Sequence, residues 1–290
     1  MDRRVKILID STSDVPSNWL KERDLGLVPL HINWASGVNE DDDERNEESL
    51  KKYWQKLVSS EELPKSSQPS PAMFLEKYKK AVDEGYDEIV VFCLSTAMSG
   101  TYNSAFMVKQ DVDIPVHVVN TRMASAVIPL IAKRFKELIN EGKNTEKAIK
   151  QIEKEIDTGK YKAMFYVSNF DFLIKGGRVS KFQGFVGNLL NINVGLYINE
   201  KTGEMVPFKK VRGEKKAQKS IINKTLESVP EGSNVDILLV HADNKDGIEK
   251  LKKLLMDNYN VSYIDETFMG KVISTHVGPG TAGFALYWKE

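Results

Sequence analysis

The feature that most narrows the fold is an alternation in the N-terminal half. Short, continuous apolar runs are each followed by a stretch of helical periodicity. Residues 5–9 (VKILI), 27–32 (LVPLHI), 89–94 (IVVFCL) and 116–119 (VHVV) read as strands. Unbroken runs of this kind suit central parallel strands covered on both faces, whereas a half-exposed strand would alternate apolar and polar residues. Between them, residues 16–23, 47–58, 72–84, 101–109 and 124–140 carry helical patterns, with Pro129 expected to kink or restart the last. The alternation predicts a parallel, doubly wound, Rossmann-like sheet flanked by helices.

The pattern changes after an amphipathic helix over residues 145–156, whose Ala148, Ile149, Ile152 and Ile156 share one face. Residues 164–167 read as a strand, and 194–198 with 205–208 as a hairpin around Glu200-Lys201-Thr202-Gly203. Helices follow at 215–228 and 246–256, and strands at 237–240, 261–264 and 272–275. This is a second α/β unit with a mixed sheet. The expected division is an N-terminal domain over 1–158 and a C-terminal domain over 159–290. The dense acidic run at 40–44 (EDDDE) reads as a solvated loop tip.

Composition removes several classes of function. The 41 Lys+Arg balance 41 Asp+Glu, so no general attraction to nucleic acid or anionic lipid is expected. No apolar run approaches the ~20 residues that cross a bilayer, so no stable membrane insertion is expected. The N-terminus, MDRRVKILID, turns acidic before a signal-peptide core could form, and a single cysteine, Cys93, forbids an internal disulfide. A cytoplasmic protein is the expectation.

Five polar loops border predicted strand or helix ends. In open α/β sheets, ligands bind beyond the carboxyl ends of the strands, so such loops are the first candidates for a site. Residues 10–14 (DSTSD) follow the first strand; they read either as a turn and helix cap or as the mouth of a ligand site. Residues 66–71 (SSQPSP) open a helix with ordinary capping chemistry. Residues 94–105 (LSTAMSGTYNSA) run from a buried strand into a helix N-terminus, with more hydroxyls than one cap requires; such an end suits an anionic group. Residues 176–180 (GGRVS) are the fourth loop and 275–283 (THVGPGTAG) the fifth. The last contains G-x-G-x-x-G, yet the chain ends seven residues beyond it, too soon for a dinucleotide-binding βαβ unit. His276 is read as ending a strand, either as a structural histidine or as part of a site.

No nucleophile elbow, phosphate loop or C-x-x-C occurs, and His31, His117, His241 and His276 lack zinc-ligand spacing. No metal is expected. Ser99 and His276 could form a nucleophile–base pair for acyl hydrolysis or transfer, provided that a carboxylate, for instance Asp10, and an oxyanion hole joined them.

DSTSD, SSQPS, LS-x₃-SGTY-x-SA, GGR and H-x-GPG occur in this order over nearly the whole chain. Together they resemble the DegV family of bacterial fatty-acid-binding proteins. The resemblance implies two α/β domains with a long-chain, palmitate-like fatty acid between them, no catalytic residue, and no cofactor beyond that ligand. Its carboxylate would be held by Ser66, Ser99 and His276. Ser66 departs from the more usual threonine, keeping the hydroxyl and losing a methyl group. Asp10, Ser11, Thr12, Ser67, Gly100 and Gly278 would support the site. Arg178 and Arg212 would contact a fatty acid kinase subunit, to which the protein presents its ligand for acyl phosphate formation, with an acyltransferase as the next partner. Tunnel candidates are Phe165, Phe182, Leu189, Ile192, Leu196 and Phe284, each of which could equally be plain core.

Overall fold

The structure is a computed structural model and describes residues 3–179 and 192–289. The chain opens with β1 (Val5–Asp10), a single 3-10 turn over Ser11–Ser13, α1 (Ser17–Glu22) and β2 (Leu25–Val28). The expected strand over 27–32 divides at Pro29, which offers no N–H to a ladder. At the break the Leu30 N–H donates to Ser11 Oγ (2.9 Å) instead. Beyond it, β3 (His31–Asn33) pairs with β4 (Asn39–Asp41) and, after α2 (Glu47–Ser59), with β5 (Lys65–Ser67), forming a small antiparallel sheet in the order β4-β3-β5. Then come α3 (Pro71–Asp83), β6 (Glu88–Cys93), α4 (Thr101–Met107) and β7 (Val116–Asn120). The main N-terminal sheet is β2-β1-β6-β7, parallel throughout.

Two helices follow, α5 (Val127–Asn140) and α6 (Thr145–Asp157). Pro129 does not kink α5: it is the third residue, where a missing N–H costs no helical hydrogen bond. Helix α5 buries Val127 through Ala132, then Phe135 and Leu138. A helix apolar nearly all round must be covered on several sides, and α5 packs against β1 and β6 on one side and β8, β11 and β13 on the other.

The remaining elements are β8 (Tyr161–Val167), α7 (Phe170–Gly176), β9 (Ile192–Ile198), β10 (Met205–Arg212), α8 (Glu214–Leu226), β11 (Asn234–His241), α9 (Lys245–Asn258), β12 (Asn260–Phe268), α10 (Lys271–Val277) and β13 (Ala282–Lys289). Their sheet runs β10-β9-β8-β13-β11-β12 and is mixed, with β11 and β12 parallel. The chain is thus α/β with one parallel and one mixed sheet. The largest core cluster joins residues of both, from Ile9 and Phe92 to Phe165 and Ala285. No described helix is long and apolar enough to cross a membrane.

Two further expectations are corrected. Residues 272–275 are helix, within α10. The acidic run at 40–44 is not a loop tip: Asn39–Asp41 is strand, and the Asp42 side chain is fully buried.

Candidate functional site

Helix α10 carries His276, although four of its seven residues, Val272, Ile273, Thr275 and Val277, are β-branched and weak helix formers. Tertiary contacts hold it. At its N-terminus, Asp14 Oδ1 accepts from Gly270 N (2.7 Å), while Asp42 accepts from Lys271 N (2.8 Å) and Val272 N (3.3 Å). These carboxylates satisfy main-chain donors that a helix start leaves unpaired. The buried Arg45 guanidinium bonds Asp42 (3.0 Å), lies 3.8 Å from Asp14 and donates to the Ser11 carbonyl. Burial raises the Asp14 carboxyl to about 7, against the opposing pull of Arg45. Helix α2 grips α10 from the side: Trp54 Nε1 donates to Ser274 Oγ (2.8 Å), and the Tyr53 and Thr275 hydroxyls are 2.6 Å apart. The helix stops at Gly278, where φ is 78° and a Cβ would lie 2.4 Å from the Phe172 ring. Only glycine is comfortable there.

His276 falls in the last turn of α10, not at a strand end. Its Nε2 is 2.8 Å from Ser66 Oγ of β5. Its Nδ1 is buried against the main chain of Gly176 without completing a hydrogen bond. Burial lowers the imidazole to about 4, the Arg178 guanidinium acts in the same sense, and the Gly176 backbone opposes them. The ring is therefore neutral near pH 7.

The hydroxyl loops divide their labour. Asp10 is buried and accepts from Thr12 N (2.9 Å), Leu94 N (2.7 Å) and the Thr12 hydroxyl; burial raises it to about 6. Asp10 and Ser11 thus tie the ends of β1 and β6 to their neighbours, and Thr12 faces a cavity. Ser99 Oγ is 3.0 Å from Thr101 Oγ1 and accepts from Thr101 N (3.3 Å).

That cavity, of about 260 Å³, brings together Ser66, Ser67, Ser99, Gly100, His276 and Arg178 with Thr12. Arg178 is solvent-exposed, donates to the Gly176 carbonyl (2.8 Å) and also forms part of the wall. Surface exposure alone therefore does not describe it. Arg212 is exposed at the end of β10 and does not line the cavity. Gly278 ends α10 and, like Asp10 and Ser11, is not among the residues that line the cavity.

Four residues, Ala124, Met205, Ile273 and Val277, are shared between this cavity and an apolar slot of about 40 Å³. The slot continues between the sheets past Ala163 and Phe165 of β8 and Phe284 and Ala285 of β13. Leu196 is fully buried opposite Phe165, and Ile192 starts β9 opposite Arg212, but neither lines the slot. Phe182 and Leu189 lie outside the described residues. The four neck residues escaped the sequence reading, although one signal existed. Val272, Ile273, His276 and Val277 follow the i, i+1, i+4, i+5 spacing of a single helical face.

The arrangement does not assemble the nucleophile–base pair considered from sequence. His276 meets Ser66 rather than Ser99, and its other nitrogen meets main chain rather than a carboxylate. No group of His, Cys, Asp and Glu among the described residues could hold a metal ion.

Comparison with known proteins gives concordant matches. A curated fatty acid-binding protein of Thermotoga maritima is 47% identical over 285 residues, spanning 98% of this chain and 97% of its own. A solved DegV lipid-binding protein of the same organism has a TM-score of 0.93 at 44% identity, with 99% of each chain covered. A fatty-acid-binding DegV protein from Thermus thermophilus gives 0.88 at 30% identity, covering 99% of this chain and all of its own. The relatives are named for binding rather than for catalysis. The DegV family model matches residues 4–289, and the chain belongs to the DegV family.

Proposed function

We propose that this protein binds a long-chain fatty acid without chemically altering it, with the carboxylate in the hydroxyl-lined cavity and the acyl chain in the apolar slot between the sheets. The observation that carries this reading is the shared neck. Ala124, Met205, Ile273 and Val277 join a polar chamber holding Ser66, Ser99 and His276 to a passage walled by apolar side chains. An amphipathic acid has the same division.

The energetics favour the tail as the source of affinity. Burying about sixteen carbons at ~0.8 kcal/mol per CH₂ gives a gross gain on the order of 10 kcal/mol, offset in large part by the costs of association and ordering. The slot's present volume means that side chains along it move aside as a long chain enters, which adds to those costs. The head group then needs orientation more than charge neutralisation. Ser66 Oγ and His276 Nε2 share one proton; in the tautomer protonated on Nε2 the ring donates to Ser66 Oγ and leaves the Ser66 proton for a carboxylate oxygen. Ser99 supplies a second hydroxyl, and Arg178 a cation at the exposed rim. Hydrogen bonds to an ionised acceptor are the stronger class.

The same reading extends to presentation of the ligand to a fatty acid kinase, with an acyltransferase downstream. It is supported by Arg178, which is exposed yet reaches the head-group cavity, and by the exposed Arg212.

Native mass spectrometry of purified protein, followed by delipidation and calorimetric titration with palmitate, tests the binding. An intact C14–C18 acid in the first experiment and saturable uptake in the second are expected. Absence of both, or turnover of an ester that Ser99→Ala abolishes, would overturn the assignment.

A further inference from the structure

The two hydroxyls assigned to the carboxylate belong to separate elements. Ser66 lies on β5, a three-residue edge strand that pairs, among the described residues, only with β3. Ser99 lies in the turn between β6 and α4. Among the described residues, one hydrogen bond joins the two loops: Gln68 Nε2 donates to Ser104 Oγ (2.8 Å). Ser104 is buried on the first turns of α4 and does not line the cavity, whereas Gln68 is exposed at its rim. The Gln68 amide lies across Gly100, where a Cβ would fall 2.2 Å from Gln68 Oε1 and 3.0 Å from Cδ. Gly100 has an ordinary φ of −82°, so this glycine is required by space and not by backbone conformation.

We infer that Gln68 is a positioning residue, a strap between β5 and α4 that holds the Ser66–His276 pair and the Ser99 turn at the separation at which both engage one carboxylate, and so sets selectivity for acids over other lipid head groups. The inference rests on the fatty-acid reading above. An acid offers two oxygens and can engage both loops at once. An alcohol of the same chain length offers one oxygen and engages one loop. Holding the loops together therefore favours the acid and leaves the alcohol nearly indifferent. Without the strap, the acid must itself immobilise β5 against α4 on binding, and that ordering subtracts from its affinity.

The test compares palmitate and hexadecanol, each measured by displacement of a fluorescent fatty acid. The variants are Gln68→Met, which keeps the bulk over Gly100 but cannot donate, and Ser104→Ala, which removes the acceptor. Each is expected to lower the acid-to-alcohol affinity ratio by roughly 3- to 10-fold, the range of one net hydrogen bond. Alcohol affinity is expected to stay within twofold, and the double variant Gln68→Met/Ser104→Ala to be no worse than either single. A merely structural role would lower both affinities together and leave the ratio unchanged. That result, full additivity in the double variant, or a wild type that does not prefer the acid would each overturn the strap. If wild-type protein takes up neither lipid, the fatty-acid reading fails as well, and the two failures are told apart at that step.

Discussion

Asp42 sits in the middle of an acidic run, and substituting it gives a sharp test of how α10 is held. Its Oδ1 accepts from Arg45 Nη1 (3.0 Å) and Lys271 N (2.8 Å), and its Oδ2 from Val272 N (3.3 Å). Asp42→Ala leaves the guanidinium of Arg45, only 2% exposed, with Asp14 at 3.8 Å as its remaining carboxylate and the Ser11 and Glu44 carbonyls as acceptors. Breaking a buried ion pair from one side costs roughly 3–5 kcal/mol; these surviving acceptors argue for the lower end. Two main-chain donors of α10 lose their acceptor at about 1 kcal/mol each, an amount comparable to an N-cap deletion. The expected loss is about 5 kcal/mol. Asp42→Asn, which keeps one oxygen, should lose about half. Urea unfolding followed by tryptophan fluorescence reads the change directly, since Trp19 and Trp54 are both buried, the latter against α10. The control is Asp43→Ala, one residue along and exposed, expected within about 0.5 kcal/mol of wild type. Equal stabilities for Asp42→Ala and Asp43→Ala would refute the buried-clamp account and restore the solvated-loop reading of this run.

Replacing Ser99 or His276 by alanine is expected to weaken palmitate binding by about 1–3 kcal/mol in calorimetry, since a buried acceptor loses one partner; unchanged affinity at both would remove the head-group assignment. Ala124→Leu, which fills the neck between cavity and slot, should abolish binding of C16 acids while leaving octanoate within a few-fold of its wild-type affinity; equal losses for both chain lengths would place the tail elsewhere. His276 also predicts a pH signature. Its folded pKa, about 4, lies below the ordinary histidine value, so the unfolded chain takes up a proton that the folded one refuses, and stability falls as pH drops from about 6.5 toward 4. His276→Gln removes that penalty. The stability of the variant relative to wild type should therefore rise by roughly 2–3 kcal/mol between pH 7.5 and 4.5, and parallel pH curves for the two proteins would contradict a buried, neutral ring.

The sequence displayed the parallel sheet because each of its inner strands is buried on both faces, and burial on both faces writes itself as an unbroken apolar run. β6 is the clearest case, with all six residues buried. Elements whose state depends on distant partners were not legible. α10 reads as a strand by residue preference, and the forces that make it a helix come from Asp14, Asp42, Tyr53 and Trp54, more than 200 residues away in sequence. The same remoteness hid Asp42. A row of acids is normally solvated, and nothing local announces that one of them faces Arg45 and a helix start. β13 was missed because it begins among the glycines of 278–283, where loop composition masks the aromatic run that follows.

The site shows the same split between what is local and what is assembled. Ser66, Ser99 and His276 were readable as members of motifs, since each motif is a contiguous piece of chain. Their mutual geometry was not, because Ser66 and His276 are brought to 2.8 Å only after β5 docks on β3 and α10 is clamped at both ends. The apolar passage was the least legible part. Its neck is made of Ala124, Met205, Ile273 and Val277, taken from three separate stretches and individually indistinguishable from core. Aromatic density pointed to Phe165 and Phe284, yet passed over the alanines at 124, 163 and 285. A passage is defined by where side chains are small, and a small residue among large ones leaves no mark in a hydropathy pattern. On the fatty-acid reading, chain-length preference is expected to respond to substitution at Ala124, Ala163 and Ala285 more than at Phe165 or Phe284.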